Sequence, residues 1–336
     1  MTFVASVATI IFFTMQDLST LETIIIAIVE GLTEFLPVSS TGHMIITQKL
    51  LGVEEGNPFI HAFTFIIQFG AILSVVCLYW KRFFQMNHSP APDNNYNDSG
   101  TFVGSYHNGK VTGTFSLPAG ASFFDRIKSS FRRLKHKFNF YWLLLVGVIP
   151  AIVIGLAAKK SGLLDWLLDS VWVVAIMLVV GGVFMLFCDR LFENKMKEQN
   201  EVTERRAFNI GLFQCISVIP GVSRSMATIV GGMAQGLTRK RAAEFSFFLA
   251  VPTMAGATLL DLVDLMKEDG AWATTGNIAM LVLGCVVAFV VALLAMKWFV
   301  GFVSKYGFKA FGVYRIIVGA IILVMLLCGQ SRAMVD

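Results

Sequence analysis

The sequence predicts an all-α polytopic membrane protein, with six transmembrane helices and two re-entrant helical hairpins arranged as an inverted-topology repeat. Three observations predict it. The 336 residues are 56% apolar and only 15% charged, with 30 Phe and a mean hydropathy of +0.70, whereas a soluble domain of this size carries about 25% charge. Charge-poor stretches of spanning length recur along the chain. Lysine and arginine gather in alternate connections between them.

Residues 1–21 read as an N-terminal extension. Within it, 3–14 are apolar but too short to span, and they lack a basic flank and a clear cleavage site, so no signal peptide is expected. Met15 stands as an alternative start, which mass spectrometry of the native N-terminus would decide. The first repeat, 22–187, opens with a hairpin at 22–52 and continues through spans at 60–80, 141–158 and 170–187, each of about the length that crosses a hydrocarbon core roughly 30 Å thick. Residues 85–122, rich in Asn, Ser, Gly and Pro, read as a flexible cytoplasmic loop in which His88 and His107 are solvated. The next stretch, 126–137, is strongly basic, and Ile127, Phe131, Leu134 and Phe138 share one helical face. A helix lying on anionic lipid would look this way, as would a solvated topological anchor. A cytoplasmic linker, 188–206, leads to the second repeat, 207–329: a hairpin at 207–236, then spans at 245–265, 277–298 and 310–328, the first interrupted by Pro252. A tail, 330–336, follows.

The sidedness comes from the basic residues. Of the 27 Lys and Arg, 20 lie in 81–139, 188–206, 237–242 and 297–309, which makes these segments cytoplasmic. The connections 159–169, 266–276 and 330–336 hold only Lys159, Lys160, Lys267 and Arg332. Six spans alternate correctly only if 22–52 enters and leaves on the outer side and 207–236 on the inner side. Both segments have an apolar arm, a proline-centred break and a second arm, and both are too polar to face lipid. They share Gly-Leu-x-Glu/Gln (Gly31 to Glu34, Gly211 to Gln214), then Pro37 or Pro220, then hydroxyls (Ser39, Ser40 and Thr41 against Ser223 and Ser225). Each precedes a span opening Phe-x-Phe (Phe63 and Phe65, Phe245 and Phe247). Hairpins entering from opposite sides make the repeat inverted, with broken helices meeting near the midplane.

The net charge of +5 resides in loops between spans, so nucleic acid is excluded as a partner and membrane lipids are expected. The five cysteines stand singly in or beside apolar runs, without the close pairs of metal or redox motifs, and read as packing residues.

The chemistry lies in the hairpins. Glu30 and Glu34 are four apart and share a helical face. Carboxylates in a membrane segment cost roughly 2.5–3.5 kcal/mol each, so compensation is required. A hard divalent cation, Mg2+ or Ca2+, supplies it and suits a diphosphate substrate; a pair that is protonated or bridged to Arg224 or Arg315 is the competing reading. Pro37 ends that helix, and Ser39, Ser40 and Thr41 are placed to cap the next, which carries His43. In the second hairpin Ser223 can cap a helix whose first turns hold Arg224, Ser225 and Thr228. Helix N-termini bind anions, and Arg224 offers a planar fork for phosphate oxygens. Arg315, inside the last span, is a second intramembrane cation for the same anion, or else a snorkelling interfacial arginine. His43 is a candidate general acid or base. Ser40 is the candidate nucleophile, unless it is only a cap. The set suits phosphoryl transfer, which asks mainly for charge stabilisation and alignment.

Glu-Gly-Leu-Thr-Glu-Phe-Leu-Pro-Val-Ser-Ser-Thr-Gly-His at 30–43 and Pro-Gly-Val-Ser-Arg-Ser at 220–225 resemble the bacitracin-resistance type of undecaprenyl-diphosphate phosphatase. The likeness extends through 66–73, 244–252 and Tyr314-Arg315, covering nearly the whole chain from about residue 22. The resemblance implies a six-span, two-hairpin fold in the bacterial cytoplasmic (inner) membrane that recycles the polyprenyl carrier of cell-wall synthesis, with a site open to the outer face. It implies a metal role for Glu30 and Glu34, and phosphate handling or catalysis for Ser40, His43, Ser223, Arg224, Thr228 and Arg315; Glu34 is expected to be catalytic as well, and Ser39 and Ser225 to bind substrate. Met226 departs from the pattern, standing where many relatives have Gly.

A lipid phosphatase of the acid-phosphatase type needs a His six residues after its Arg, but position 230 is Val. The stronger competitor is a transporter or flippase of a polyprenyl phosphate, because broken-helix inverted repeats are a transporter architecture. The expected partner is a polyprenyl diphosphate lipid. The oligomeric state is left open, a homodimer included.

Overall fold

The computed structural model describes residues 18–53, 57–84, 101–107, 110–116, 134–135, 137–162, 170–194, 201–265 and 273–328. The alternative start at Met15, most of the loop at 85–122 with His88, most of the basic stretch at 126–137 and the tail at 330–336 lie outside these residues.

The first helix, α1 (Thr20–Thr33), starts at a capping box: the Ser19 hydroxyl accepts from the Glu22 N–H, and the Glu22 carboxylate accepts from the Ser19 N–H. The chain then breaks at Pro37 and re-enters helix as α2 (Ser40–Leu51), closed by Gly52 at φ +68°. Next come α3 (Pro58–Leu78) and the short α4 (Trp80–Phe84). Two strands follow, β1 (Thr101–His107) and β2 (Lys110–Ser116), then α5 (Asn139–Lys160) and α6 (Val171–Phe192). The second broken segment comprises α7 (Glu204–Gln214), a 3-10 turn (Cys215–Val218) and α8 (Arg224–Ala234). Three long helices complete the chain: α9 (Arg239–Leu265), α10 (Thr275–Tyr306) and α11 (Lys309–Leu327).

The protein is a multi-pass helical membrane protein. Among the described residues five helices are long and apolar enough to cross a bilayer: α5, α6, Arg239–Leu260 of α9, α10 and α11. Only 28% to 50% of their most apolar windows is buried against protein, so their outward faces are hydrocarbon-like and match lipid rather than water. In α3 the apolar part, Ala62–Leu78, is shorter.

Two expectations are corrected. Helix α9 runs unbroken through Pro252, as α5 does through Pro150; one missing N–H does not end a membrane helix packed along its length. Within the stretch read as a flexible loop, β1 and β2 pair antiparallel, from Thr101 opposite Ser116 to His107 opposite Lys110. The fold is therefore helical with one two-stranded ribbon. The Asn108-Gly109 dipeptide between the two runs is the sequence signal for it.

The chain divides into two units, 1–78 with 146–336 and 79–145. In the smaller, Phe83 meets Phe140 edge-on at 5.3 Å, with Arg82 over the Phe140 ring. In the larger, α1 and α3 pack against α10, α3 also against α9, α8 against α7 and α9, and α6 against α11. Several of these contacts are backbone to backbone. A Cβ on Gly31 would come 2.8 Å from the Ala288 carbonyl, and one on Gly182 would come 2.8 Å from the Gly312 carbonyl. Gly211 of α7 meets the Gly147 carbonyl of α5 in the same manner. Behind the first break, buried Phe35 packs edge-on against Phe247 at 5.3 Å, and Phe247 meets Phe299 at 6.1 Å. That row ties the break to α9 and α10.

Candidate active site

The two breaks meet. Glu34, the residue that ends α1, accepts from Arg224, the first residue of α8, with Oε1 2.5 Å from Nη2. Its other oxygen, Oε2, accepts from the Ser40 hydroxyl at 2.6 Å. One carboxylate thus joins a guanidinium and a hydroxyl brought together from positions 190 and 6 residues away. The breaks are also joined directly, by a bond from the Ser225 hydroxyl to the Leu36 carbonyl at 2.8 Å. Since that bond uses the Ser225 proton, Ser223, 2.8 Å away, donates to Ser225.

Local sequence explains the geometry. Ser223 caps α8 by accepting from the Met226 N–H, which places Arg224 in the first turn. Met226 is buried without disturbing that cap. Gly221 takes φ +87°, and a Cβ there would sit 2.5 Å from the Val174 carbonyl, so both backbone shape and space require glycine. Ser39 has φ +73°, the one positive value among described non-glycine residues, at a strain of roughly 1–2 kcal/mol. Its side chain makes no cap bond, which corrects the expectation that it caps α2. Its carbonyl instead accepts from His43 Nδ1 at 2.8 Å.

That bond fixes the imidazole. With Nδ1–H on the Ser39 carbonyl, Nε2 is the acceptor for the Tyr314 hydroxyl at 2.7 Å, and the two rings stack 5.6 Å apart. His43 therefore bonds Ser39 and Tyr314, and not Ser40. Tyr314 is a site residue that sequence reasoning missed, although its pairing with Arg315 inside an apolar span was a visible signal.

Burial sorts the rest. Ser40, His43, Arg224 and Tyr314 are partly or well exposed and form the reachable face. Glu30, Ser39, Ser223, Ser225, Thr228 and Arg315 are buried. The Thr228 hydroxyl is committed to the Arg224 carbonyl at 2.9 Å and to Ser246 at 2.5 Å. Arg315, expected on the anion, donates instead to the carbonyls of Pro37, Gly221, Met177 and Leu178.

Glu30 lies one turn before Glu34, wholly buried, and neither of its carboxylate oxygens has a hydrogen-bond partner. An unpartnered buried carboxylate is costly, and its two oxygens beside Glu34 fit a hard cation. No three or more His, Cys, Asp or Glu side chains cluster as a metal cage among the described residues.

Comparisons with known proteins find relatives over nearly the whole chain. The profile of the family described as "Bacitracin resistance protein BacA" matches residues 23–321. A Porphyromonas gingivalis protein named "Undecaprenyl-diphosphatase" is 48% identical over 314 residues, covering 93% of this chain and 99% of that protein. Proteins of the same name from Flavobacterium psychrophilum and Bdellovibrio bacteriovorus are 47% and 41% identical, over 91% and 95% of this chain and 95% and 100% of theirs. The chain belongs to the bacitracin resistance protein BacA family.

Proposed function

We infer that this protein is a membrane-embedded phosphatase that hydrolyses undecaprenyl diphosphate to undecaprenyl phosphate and inorganic phosphate, recycling the lipid carrier of cell-wall synthesis. The observation that carries the reading is the Ser40–Glu34–Arg224 constellation, assembled from both broken segments at 2.6 and 2.5 Å. The relatives' shared name supplies the substrate class.

Ser40 is the hydroxyl placed to attack the terminal phosphorus, with Glu34 positioned to take its proton and undecaprenyl phosphate leaving; water then cleaves the phosphoserine to release inorganic phosphate. Arg224 stands at the reachable face to hold phosphate oxygens and stabilise the charge that builds up in the transition state. His43 is held by Ser39 and Tyr314 through its two ring nitrogens, and displacement of the Tyr314 hydroxyl would free Nε2 to accept a proton from water. The buried hydroxyls of Ser223, Ser225 and Thr228 support the turn that carries Arg224. Glu30 and Glu34 would hold a divalent cation, Mg2+ or Ca2+, and a metal bound through one or two carboxylates leaves its other positions to phosphate oxygens and water. When bound, such an ion neutralises the diphosphate and aligns it for attack.

The finer topology belongs to the same reading: α3, α5, α6, α9, α10 and α11 span the inner membrane, and α1–α2 and α7–α8 are re-entrant. Exchange of the two halves supports it, because α1 on α10 has a counterpart in α7 on α5, while α3–α9 and α6–α11 pair across the repeat. The basic connections then face the cytoplasm and the site opens outward.

The deciding experiment gives purified protein undecaprenyl diphosphate and follows phosphate release. Metal-dependent release supports the phosphatase, whereas lipid movement across vesicles without hydrolysis would instead establish a flippase.

A further inference from the structure

Arg315 is the largest fully buried side chain of the described residues, and it lies in the second turn of α11. Its bonds here all go to backbone carbonyls: Nε to Leu178 at 3.4 Å, Nη1 to Pro37 at 3.2 Å, and Nη2 to Met177 at 3.0 Å and Gly221 at 2.8 Å. Four of its five N–H donors are thereby committed.

The choice of carbonyls is informative. Pro37 and Gly221 belong to the two breaks, where the helical ladder is interrupted and carbonyls lose their ordinary donors. A buried carbonyl without a donor is costly. Arg315 satisfies one from each break with a single rigid plane, so the guanidinium fixes the spacing between them. Met177 and Leu178, on α6, anchor the other edge of that plane. Helix α6 makes room through its glycines: a Cβ on Gly181 would stand 2.5 Å from Arg315 Nη2, and one on Gly182 would stand 3.1 Å from Arg315 Cβ.

We propose that Arg315 is a positioning residue that sets the register of the two breaks, and through them the meeting of Glu34 and Ser40 with Arg224, without touching the substrate. Lysine cannot replace it, since an ammonium is a compact charge on a flexible stem and offers no planar fork to carbonyls on three segments. The structural half of this proposal is independent of the phosphatase reading; the catalytic half rests on it.

The test uses the full chain in lipid nanodiscs with a reporter, Val38→Cys. Val38 lies in the first break and is 3% exposed. Labelling of residue 38 by a water-soluble maleimide is followed by peptide mass spectrometry without substrate, in otherwise native protein, in Arg315→Lys and in Gly181→Ala. The last variant keeps the arginine but displaces the guanidinium. Labelling should accelerate roughly tenfold or more in both variants, as local opening becomes easier. Turnover of undecaprenyl diphosphate should fall about 100-fold in kcat, the scale of a misplacement near 1 Å, with KM changed less than about threefold. Unchanged labelling together with a large rise in KM would make Arg315 a substrate contact and overturn the proposal. So would native labelling and turnover in Gly181→Ala, which decides the matter even if Arg315→Lys does not fold.

Discussion

Glu34 receives Arg224 on one carboxylate oxygen and Ser40 on the other, at 2.5 and 2.6 Å. Each helix–break–helix segment is incomplete without its counterpart: one brings the acid and the hydroxyl, the other the cation. Glu34 is buried, so removing Arg224 takes the charge partner from a desolvated carboxylate, which is a large perturbation.

Glu34→Gln and Arg224→Ala are therefore expected to lower kcat/KM for undecaprenyl diphosphate by about 10²- to 10³-fold each, the scale of losing a preorganised charge-stabilising group. The double variant should lose far less than the product, because both substitutions remove one interaction. Full activity in either single variant would reject this site.

Ser40→Ala should abolish turnover while the protein remains folded and monodisperse. Substrate radiolabelled in its terminal phosphate, quenched with acid during turnover, should leave label on residue 40 of the native protein. An unlabelled peptide together with an inactive Ser40→Ala would assign the attack to water held by Ser40.

Chelation should eliminate phosphate release, with recovery on adding back Mg2+ or Ca2+. In Glu30→Gln, isosteric but neutral, the cation concentration for half-maximal activity should rise at least about tenfold, since the proposed metal site would lose one of its two carboxylates. An unchanged cation requirement would remove Glu30 from the metal site.

Tyr314→Phe deletes the hydroxyl on His43 Nε2 and keeps the stacked ring. A decrease in kcat of roughly 10-fold with nearly native thermal stability is expected if His43 must be held in one orientation. His43→Ala in the Tyr314→Phe background should then cost little more than His43→Ala alone, measured as a kinetic cycle.

Away from the site, Asp189 of α6 accepts from Arg239 Nε at 2.7 Å and from the Phe308 N–H at 2.8 Å, stapling the start of α9 and the turn before α11 to the end of α6. Asp189→Ala should destabilise the protein by roughly 2 kcal/mol, allowing for the partly exposed arginine, with activity per folded molecule preserved. A thermal unfolding series in detergent checks it.

Charge placement made much of this legible in the sequence. Glu34 and Arg224 could not sit in apolar segments without partners, although a cation was the expected partner of Glu34 and its bridge to Arg224 the competing reading, and two prolines in matching contexts showed where helices stop. Hydrogen-bond direction was not legible. The hydroxyls of Ser223, Ser225 and Thr228 looked like phosphate ligands, yet each is bound internally, because a serine or threonine near a helix start suits either use. Ser39 looked like a cap, but left-handed backbone turned its carbonyl to His43. Arg315 looked like a second anion ligand because a lone intramembrane cation invites an anion; four nearby carbonyls answered it instead.

The glycine contacts that bring Gly31 onto Ala288 and Gly182 onto Gly312 leave no room for even one added methyl group. Tolerance to mutation should accordingly be split in two. Outward positions such as Leu156, Val180 and Leu294, each more than half exposed, can drift among apolar residues while lipid adjusts around them. The few backbone crossings admit no such drift, and variation among functional homologues should be lowest there.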